Sequence, residues 1–132
     1  MAASSQIRVL IVDDHPQVRA GIAAVLGNES DILIVGQAGD GREALEKIAE
    51  LSPDIVVMDI RMPLLDGLEA TRLIMKSKSH PKVLILTQME QEEYIKRARE
   101  YGAHGFFPKV SIGSGLAAAI RQVQKGQRLF AA

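Results

Sequence analysis

Asp13 and Asp14 stand side by side after one apolar run, Asp59 closes a second, Thr87 a third, and Lys109 follows a fourth. Carboxylates, a hydroxyl and an ammonium are the parts of a site that handles phosphoryl groups. Three carboxylates held together cannot all stay ionised without compensation. A hard divalent cation such as Mg2+ prefers oxygen ligands, and with Lys109 it would cancel their formal charge. In such a site the cation polarises phosphoryl oxygens, Lys109 and Thr87 donate to them, and one carboxylate is the nucleophile. Taken singly each residue has a plainer meaning. Asp13-Asp14 would be a solvated turn or helix cap, Asp59 a loop carboxylate before Pro63, Thr87 a strand end and Lys109 an exposed charge. The chemistry depends on something bringing all five together.

The elements that could do so alternate along the chain. Apolar runs of strand length are Ile7–Val12, Ile32–Val35, Ile55–Met58, Val83–Leu86 and, more weakly, Gly105–Pro108. The first, third and fourth are nearly continuous, as strands buried on both faces of a parallel sheet must be. Helical spacing fills the gaps. Val18, Ile22, Val25 and Leu26 form one stripe after Pro16, which suits a first helical turn. Ala44, Leu45, Ile48 and Leu51 form another behind a capping box of Asp40 and Glu43. Asp66 and Glu69 repeat the box before Ala70, Leu73 and Ile74. Tyr94, Ile95, Ala98 and Tyr101 end at Gly102, and Leu116, Ala119, Ile120 and Val123 end at Gly126, both glycines placed as helix-terminating residues. Ser111 is the expected cap of the last helix, with Gly113 and Gly115 weakening its first turn. The acidic run from Glu90 to Glu93 suits the start of the fourth helix.

Five βα units in strict alternation predict a doubly wound α/β fold. Pro108 cannot donate a ladder hydrogen bond, so the last strand belongs at an edge. The flavodoxin-like order 2-1-3-4-5 puts it there, with helices on both faces. Ligands in such sheets bind beyond the carboxyl ends of the strands, near the switch point between strands one and three. That is where Asp13, Asp14, Asp59, Thr87 and Lys109 would converge.

Composition removes several alternatives. The 132 residues include no cysteine, which excludes disulfides, thiolate metal sites and cysteine nucleophiles. Sixteen basic residues balance sixteen acidic ones, so there is no general attraction to nucleic acid or anionic membranes. No apolar run approaches the roughly 20 residues of a membrane span, and the uncharged segment before Ile7 is no signal peptide. A cytoplasmic domain is the expectation. Gly113-Ser-Gly-Leu-Ala-Ala118 fits a dinucleotide fingerprint only superficially, because no second strand with its acidic residue follows. There is also no P-loop motif.

Asp13-Asp14, Asp59-Ile-Arg-Met-Pro-Leu-Leu-Asp-Gly67, Thr87 and Gly102-Ala-His-Gly-Phe-Phe-Pro-Lys109 together resemble the receiver domain of bacterial two-component response regulators. The resemblance runs from about Gln6 to Gly126. It implies a flexible segment 1–6, a receiver domain 7–126 and the start of a linker or tail at 127–132. By this resemblance Asp59 accepts a phosphoryl group from a sensor histidine kinase. Asp13, Asp14 and Asp59 hold Mg2+ with the backbone carbonyl of Arg61, Asp14 being the more direct ligand of the acidic pair. Thr87 is the switch hydroxyl, Lys109 pairs with the phosphoryl group, and Phe106 sits at the aromatic switch position. The domain would catalyse its own phosphotransfer and dephosphorylation without being an enzyme on other substrates. The segment Ala119-Ile-Arg-Gln-Val-Gln-Lys-Gly126 resembles the subgroup with a C-terminal helix-turn-helix domain, implying transcriptional output through a part outside this chain. Homodimerisation on phosphorylation is implied as well, with Tyr94–Tyr101 and Phe106–Lys109 as the face.

Three departures from the family pattern matter. Phe106 lacks the hydroxyl of a tyrosine. Gln88 follows Thr87, where a smaller or apolar residue is common, so it bears on access to the phosphoryl group. Val110, in place of proline, follows Lys109, for which a trans bond is the default. Two other functions compete. A metal-dependent phosphatase of the haloacid-dehalogenase type would need an Asp-x-Asp nucleophile motif, which is missing. A receiver-like binding module without phosphorylation would not need the complete five-residue set. His15, His80 and His104 lack ligand spacing and are expected to be structural or solvated. Met58, Met62, Leu64, Leu65, Phe107, Tyr94 and Tyr101 are expected to pack.

Overall fold

Nearly continuous runs of Val, Ile and Leu make β1 (Ile7–Val12), β3 (Ile55–Asp59) and β4 (Lys82–Thr87), and these occupy the middle of the sheet. Their side chains alternate between two separate apolar clusters, so neither face can afford polarity. Leu10, Val12, Val56, Met58, Val83 and Ile85 enter one cluster; Val9, Ile11, Ile55, Val57, Leu84 and Leu86 enter the other. In this computed structural model, which describes residues 6–88 and 92–130, the edges are β2 (Ile32–Ala38) and β5 (Gly105–Pro108). All neighbouring strands are parallel, in the order β2-β1-β3-β4-β5.

The helices are α1 (Pro16–Leu26), α2 (Gly41–Leu51), α3 (Gly67–Ile74), α4 (Glu92–Glu100) and α5 (Leu116–Gln124). Ile22 and Leu26 of α1 share a cluster with Leu116, Ile120 and Val123 of α5. Ala44 of α2, Leu68 and Ile74 of α3 and Ala98 of α4 cover the opposite face. Burying one such aliphatic side chain stabilises the fold by about 1.5–3 kcal/mol, so the two layers lock the strand ends in register.

Several local expectations are refined. β2 runs through Gly36 to Ala38 instead of stopping at Val35, because an irregularity between Val9 and Leu10 lets pairing with β1 continue. Asp40 and Asp66 accept from the N–H of Glu43 and Glu69, but neither glutamate reciprocates in a closed box. Glu43 instead accepts from Gly39 N–H, and Glu69 pairs with Arg72. Ser111 does not cap α5; it lies in a short 3-10 turn, Lys109–Ser111, and Gly115 at φ 105° precedes the helix. Both Gly113 and Gly115 therefore fall outside α5 and do not weaken it. Leu65 packs against the core, whereas Leu64 is 73% exposed at φ 69°. Residues 1–5, part of the acidic run before α4, and the last two residues lie outside the described residues.

His104 starts the β4–β5 pairing in an unusual way. Its N–H donates to Val83 O at 2.8 Å, and its Nδ1 accepts from Val83 N–H at 3.1 Å. That acceptor role requires a neutral ring. Burial lowers the His104 pKa to about 4, helped by the nearby positive charges of Arg128, His80 and Lys82. The unfolded chain therefore binds a proton at pH values where the folded chain does not. His104 should leave stability intact above pH 6.5 and withdraw up to about 3 kcal/mol as pH falls towards 4. Urea denaturation across that range tests this; His104→Gln should flatten the slope. Asp59, described below, acts in the opposite sense.

Candidate phosphoryl-handling site

β1 ends by delivering Asp13 and Asp14 to the carboxyl edge of the sheet. Asp13 is 1% exposed, its N–H donates to Ala38 O at 3.1 Å, and its carbonyl accepts from Arg19 Nη1 at 2.6 Å. Asp59, the last residue of β3, is also buried, and its Oδ1 accepts from Ile60 N–H at 2.8 Å. Lys109, just beyond β5, reaches back across the edge. Its Nζ lies 2.6 Å from Asp13 Oδ2 and 3.2 Å from Asp59 Oδ2. Thr87 closes β4, buried, and lines the same cleft with Asp59, Arg61, Gln88 and Lys109.

The β3–α3 connection is held by backbone contact. Gly67 N–H donates to Ile60 O at 2.7 Å, and a Cβ at Gly67 would come within 1.9 Å of Asp59 O. No side chain fits there without moving the backbone of Asp59. Gly67→Ala should therefore shift the site itself and lower stability, which amide NMR of Asp59 and Ile60 together with a melting curve would show.

The electrostatics follow from burial. Desolvation raises the Asp59 pKa above its ordinary value, the neighbouring Asp13 charge adds to this, and Lys109 offsets part of it. Burial works against the Lys109 ammonium. Its hydrogen bond to Asp13 and the charges of Asp59 and Asp13 outweigh that and hold its pKa above the usual lysine value. Asp59 is thus a carboxylate whose ionised form its protein surroundings disfavour. A carboxyl raised in the folded state costs stability as pH climbs through its folded pKa. Asp59→Asn should accordingly raise the urea midpoint of the metal-free protein at neutral pH, with the gain disappearing below about pH 4.

The donor set also fits a hard cation. One ligand atom from each of Asp13, Asp14, His15 and Asp59 falls within 4.8 Å of the others. Asp14 Oδ1 is buried and receives no hydrogen bond of acceptable geometry; its close nitrogen is His15 Nδ1 at 3.0 Å. Buried carboxylate oxygens in this state are suited to metal coordination.

The receiver domain of response regulators matches residues 9–121, most of the chain. The chain belongs to this family. It is 41% identical over 121 residues to the transcriptional regulatory protein LiaR of Bacillus subtilis, a match covering 92% of this chain and 57% of LiaR. It is 46% identical over 125 residues to the response regulator GacA of Pseudomonas viridiflava, covering 92% of this chain and 57% of GacA. Among solved structures, the signal receiver domain of NarL from Mycobacterium tuberculosis superposes with a TM-score of 0.90 at 31% identity. That match covers 93% of this chain and 99% of the NarL domain. The receiver thus spans little more than half the length of the curated relatives it matches.

This receiver gathers Asp13, Asp14, Asp59, Thr87 and Lys109 at one end of the sheet, with Arg61 exposed on the cleft wall. Phe106 is not in the cleft. It lies on β5, 6% exposed, in the apolar cluster beneath α4. His15, expected to be structural or solvated, is 62% exposed, and yet it also borders the acidic pair. Its ring lines the cleft and approaches both Asp13 and Asp14, at 3.3 and 3.0 Å. Its position next to the acidic pair was the available signal. Arg19, which holds the Asp13 carbonyl, had none, since an arginine on a helix face is ordinary. Among the described residues no helix is long and apolar enough to cross a membrane.

Proposed function

We propose that this receiver accepts a phosphoryl group on Asp59 from a phosphohistidine of a sensor kinase and changes shape in response. The observation that carries the reading is Lys109 Nζ bridging Asp13 and Asp59 at the mouth of an open cleft that also exposes Arg61 and Gln88. Asp59 attacks phosphorus, the P–N bond of the donor breaks, and the imidazole nitrogen keeps the electron pair. Asp13, Asp14, Asp59 and the Arg61 carbonyl would hold Mg2+, which when bound supplies positive charge against the phosphoryl oxygens. Lys109 exchanges its carboxylate partner for a phosphoryl oxygen, and the Thr87 hydroxyl donates to another. Gln88, on the cleft wall, limits the approach of water that would hydrolyse the acyl phosphate.

The cleft continues into an apolar groove of Val18, Gly21, Ile22, Val25, Val110 and Ile112. Val110 is 90% exposed immediately after Lys109. A donor histidine carried on a protein helix would rest its apolar face there. Val110→Asp should slow transfer from a kinase while leaving uptake from acetyl phosphate unchanged; equal slowing of both would contradict this docking.

The printed name of LiaR, a transcriptional regulatory protein of which this chain spans 57%, supports a reading of the output. We propose that the natural protein acts in the cytoplasm and regulates transcription through a DNA-binding part outside this chain. Phosphorylation would promote self-association through α4 and β5. Moving such an equilibrium from 1:99 to 99:1 takes about 5.5 kcal/mol of differential stabilisation. The reading is tested by incubating the protein with acetyl phosphate and Mg2+ and weighing it intact. One phosphoryl group should appear and then decay by self-catalysed hydrolysis. Steady turnover of an unrelated phosphoester would instead favour a phosphatase.

A further inference from the structure

After α5 the chain turns at Gly126, φ 98°, and runs back along the outer edge of β5. Leu129 N–H donates to His104 O at 3.0 Å, and Phe106 N–H donates to Leu129 O at 2.9 Å. Gly105 and Leu129 form a parallel bridge. Arg128 Nη1 donates to Ala103 O at 2.9 Å, and the Arg99 guanidinium of α4 lies 4.8 Å from the centre of the Phe130 ring. The edge that Pro108 marks is therefore covered at its other end by the chain's own residues 128–130. The approach is close: a Cβ on Gly105 would meet Leu129 Cβ at 3.2 Å and Leu129 O at 3.3 Å.

The contacts of this segment fall on Phe106, two residues along the β4–β5 ladder from Thr87, which lines the cleft. Phe106 holds the segment by its backbone N–H while its side chain sits in the cluster under α4. β5 is paired to β4, with Phe106 opposite Ile85 and Pro108 opposite Thr87. A displacement of Thr87 reaches Phe106 within two residues of the ladder. The segment itself is held by three hydrogen bonds, one cation–π contact and the half-buried side chains of Leu129 and Phe130, each packed against one apolar cluster, while Gln127 and Arg128 are exposed. Short edge segments of this kind open at much lower cost than central strands.

We infer that residues 128–130 form a releasable strap on β5, bound when Asp59 is unmodified and loosened when it carries a phosphoryl group. The strap gives the receiver a mechanical output on its own chain. It converts a change at Thr87 and Phe106 into freedom of the segment that leaves the domain, and it uncovers the β5 edge. This rests on Asp59 being the phosphoryl acceptor. Coupling is reciprocal, so weakening the strap must in turn favour the phosphorylated form.

The test is amide hydrogen exchange at Phe106 and Leu129 of the full chain, with and without excess acetyl phosphate and Mg2+, alongside intact mass. On modification both amides should exchange about tenfold faster, within the ordinary range of coupling, while Val9 and Val57 stay protected. Unchanged exchange in a protein shown by mass to be modified overturns the strap and leaves the acceptor reading standing. No modification at all removes the acceptor reading, and the strap with it. Leu129→Pro deletes the N–H that bonds His104 O and should raise the modified fraction at a fixed donor concentration; Phe130→Ala is the milder variant if the first fails to fold. A modified fraction equal to wild type in a folded variant also overturns the proposal.

Discussion

Asp59→Asn is expected to take up no phosphoryl group from acetyl phosphate under conditions where the unchanged protein takes up one. The variant should fold, and by the electrostatics of the site it should fold more firmly when metal-free. Asn has nearly the shape of Asp, and Lys109 keeps Asp13 at 2.6 Å as its partner. What is lost is the carboxylate oxygen that, on the proposed reading, bonds to phosphorus. Loss of uptake with gain of stability separates a chemical role for Asp59 from a structural one, because a residue that only held the loop would show both falling. Intact mass and urea denaturation on one preparation read both quantities.

Asp14→Asn is expected to reduce Mg2+ affinity and slow phosphoryl uptake by about a hundredfold or more, the scale seen when one group that stabilises developing charge is removed. Asp14 Oδ1 is buried without a hydrogen bond of acceptable geometry, so an amide there loses the charge that suits it to a cation. Removing the cation with EDTA should have the same consequence in the wild type, since the incoming group would meet Asp13 and Asp14 uncompensated. Amide shifts of Asp13, Asp14 and Asp59 during Mg2+ titration give the affinity. A response of unchanged strength in Asp14→Asn would contradict the assigned ligand set. Lys109→Ala supplies the contrast. It should still allow some uptake but weaken the structural response, because its proposed role lies in pairing with the product.

Much of this was legible because two physical rules act on neighbouring residues. Short, nearly continuous Val/Ile runs suit strands buried on both sides better than half-exposed ones, which placed β1, β3 and β4 in the centre and their terminal polar residues at one edge. Pro108 put β5 on the outside. The limits were equally physical. Gly36 looked like the end of β2, yet an irregular register carries pairing beyond it. Ser111 looked like a cap, yet the chain first makes a 3-10 turn and enters α5 through a left-handed glycine. His15 looked like one of three unrelated histidines, because spacing within the sequence does not show which ring faces an acidic pair. The return of residues 128–130 to β5 had no signal, since a run of Gln-Arg-Leu-Phe fits a linker as well as an edge pairing.

One carboxylate, Asp59, is proposed to receive the phosphoryl group with the help of a divalent cation. The most direct measurement of this is peptide mapping of the wild-type protein after acetyl phosphate treatment, run in parallel with Mg2+ and with EDTA. A single phosphorylated peptide containing Asp59 is expected, present with Mg2+ and nearly absent with EDTA. Modification at any other residue, or equal modification in EDTA, would contradict that role.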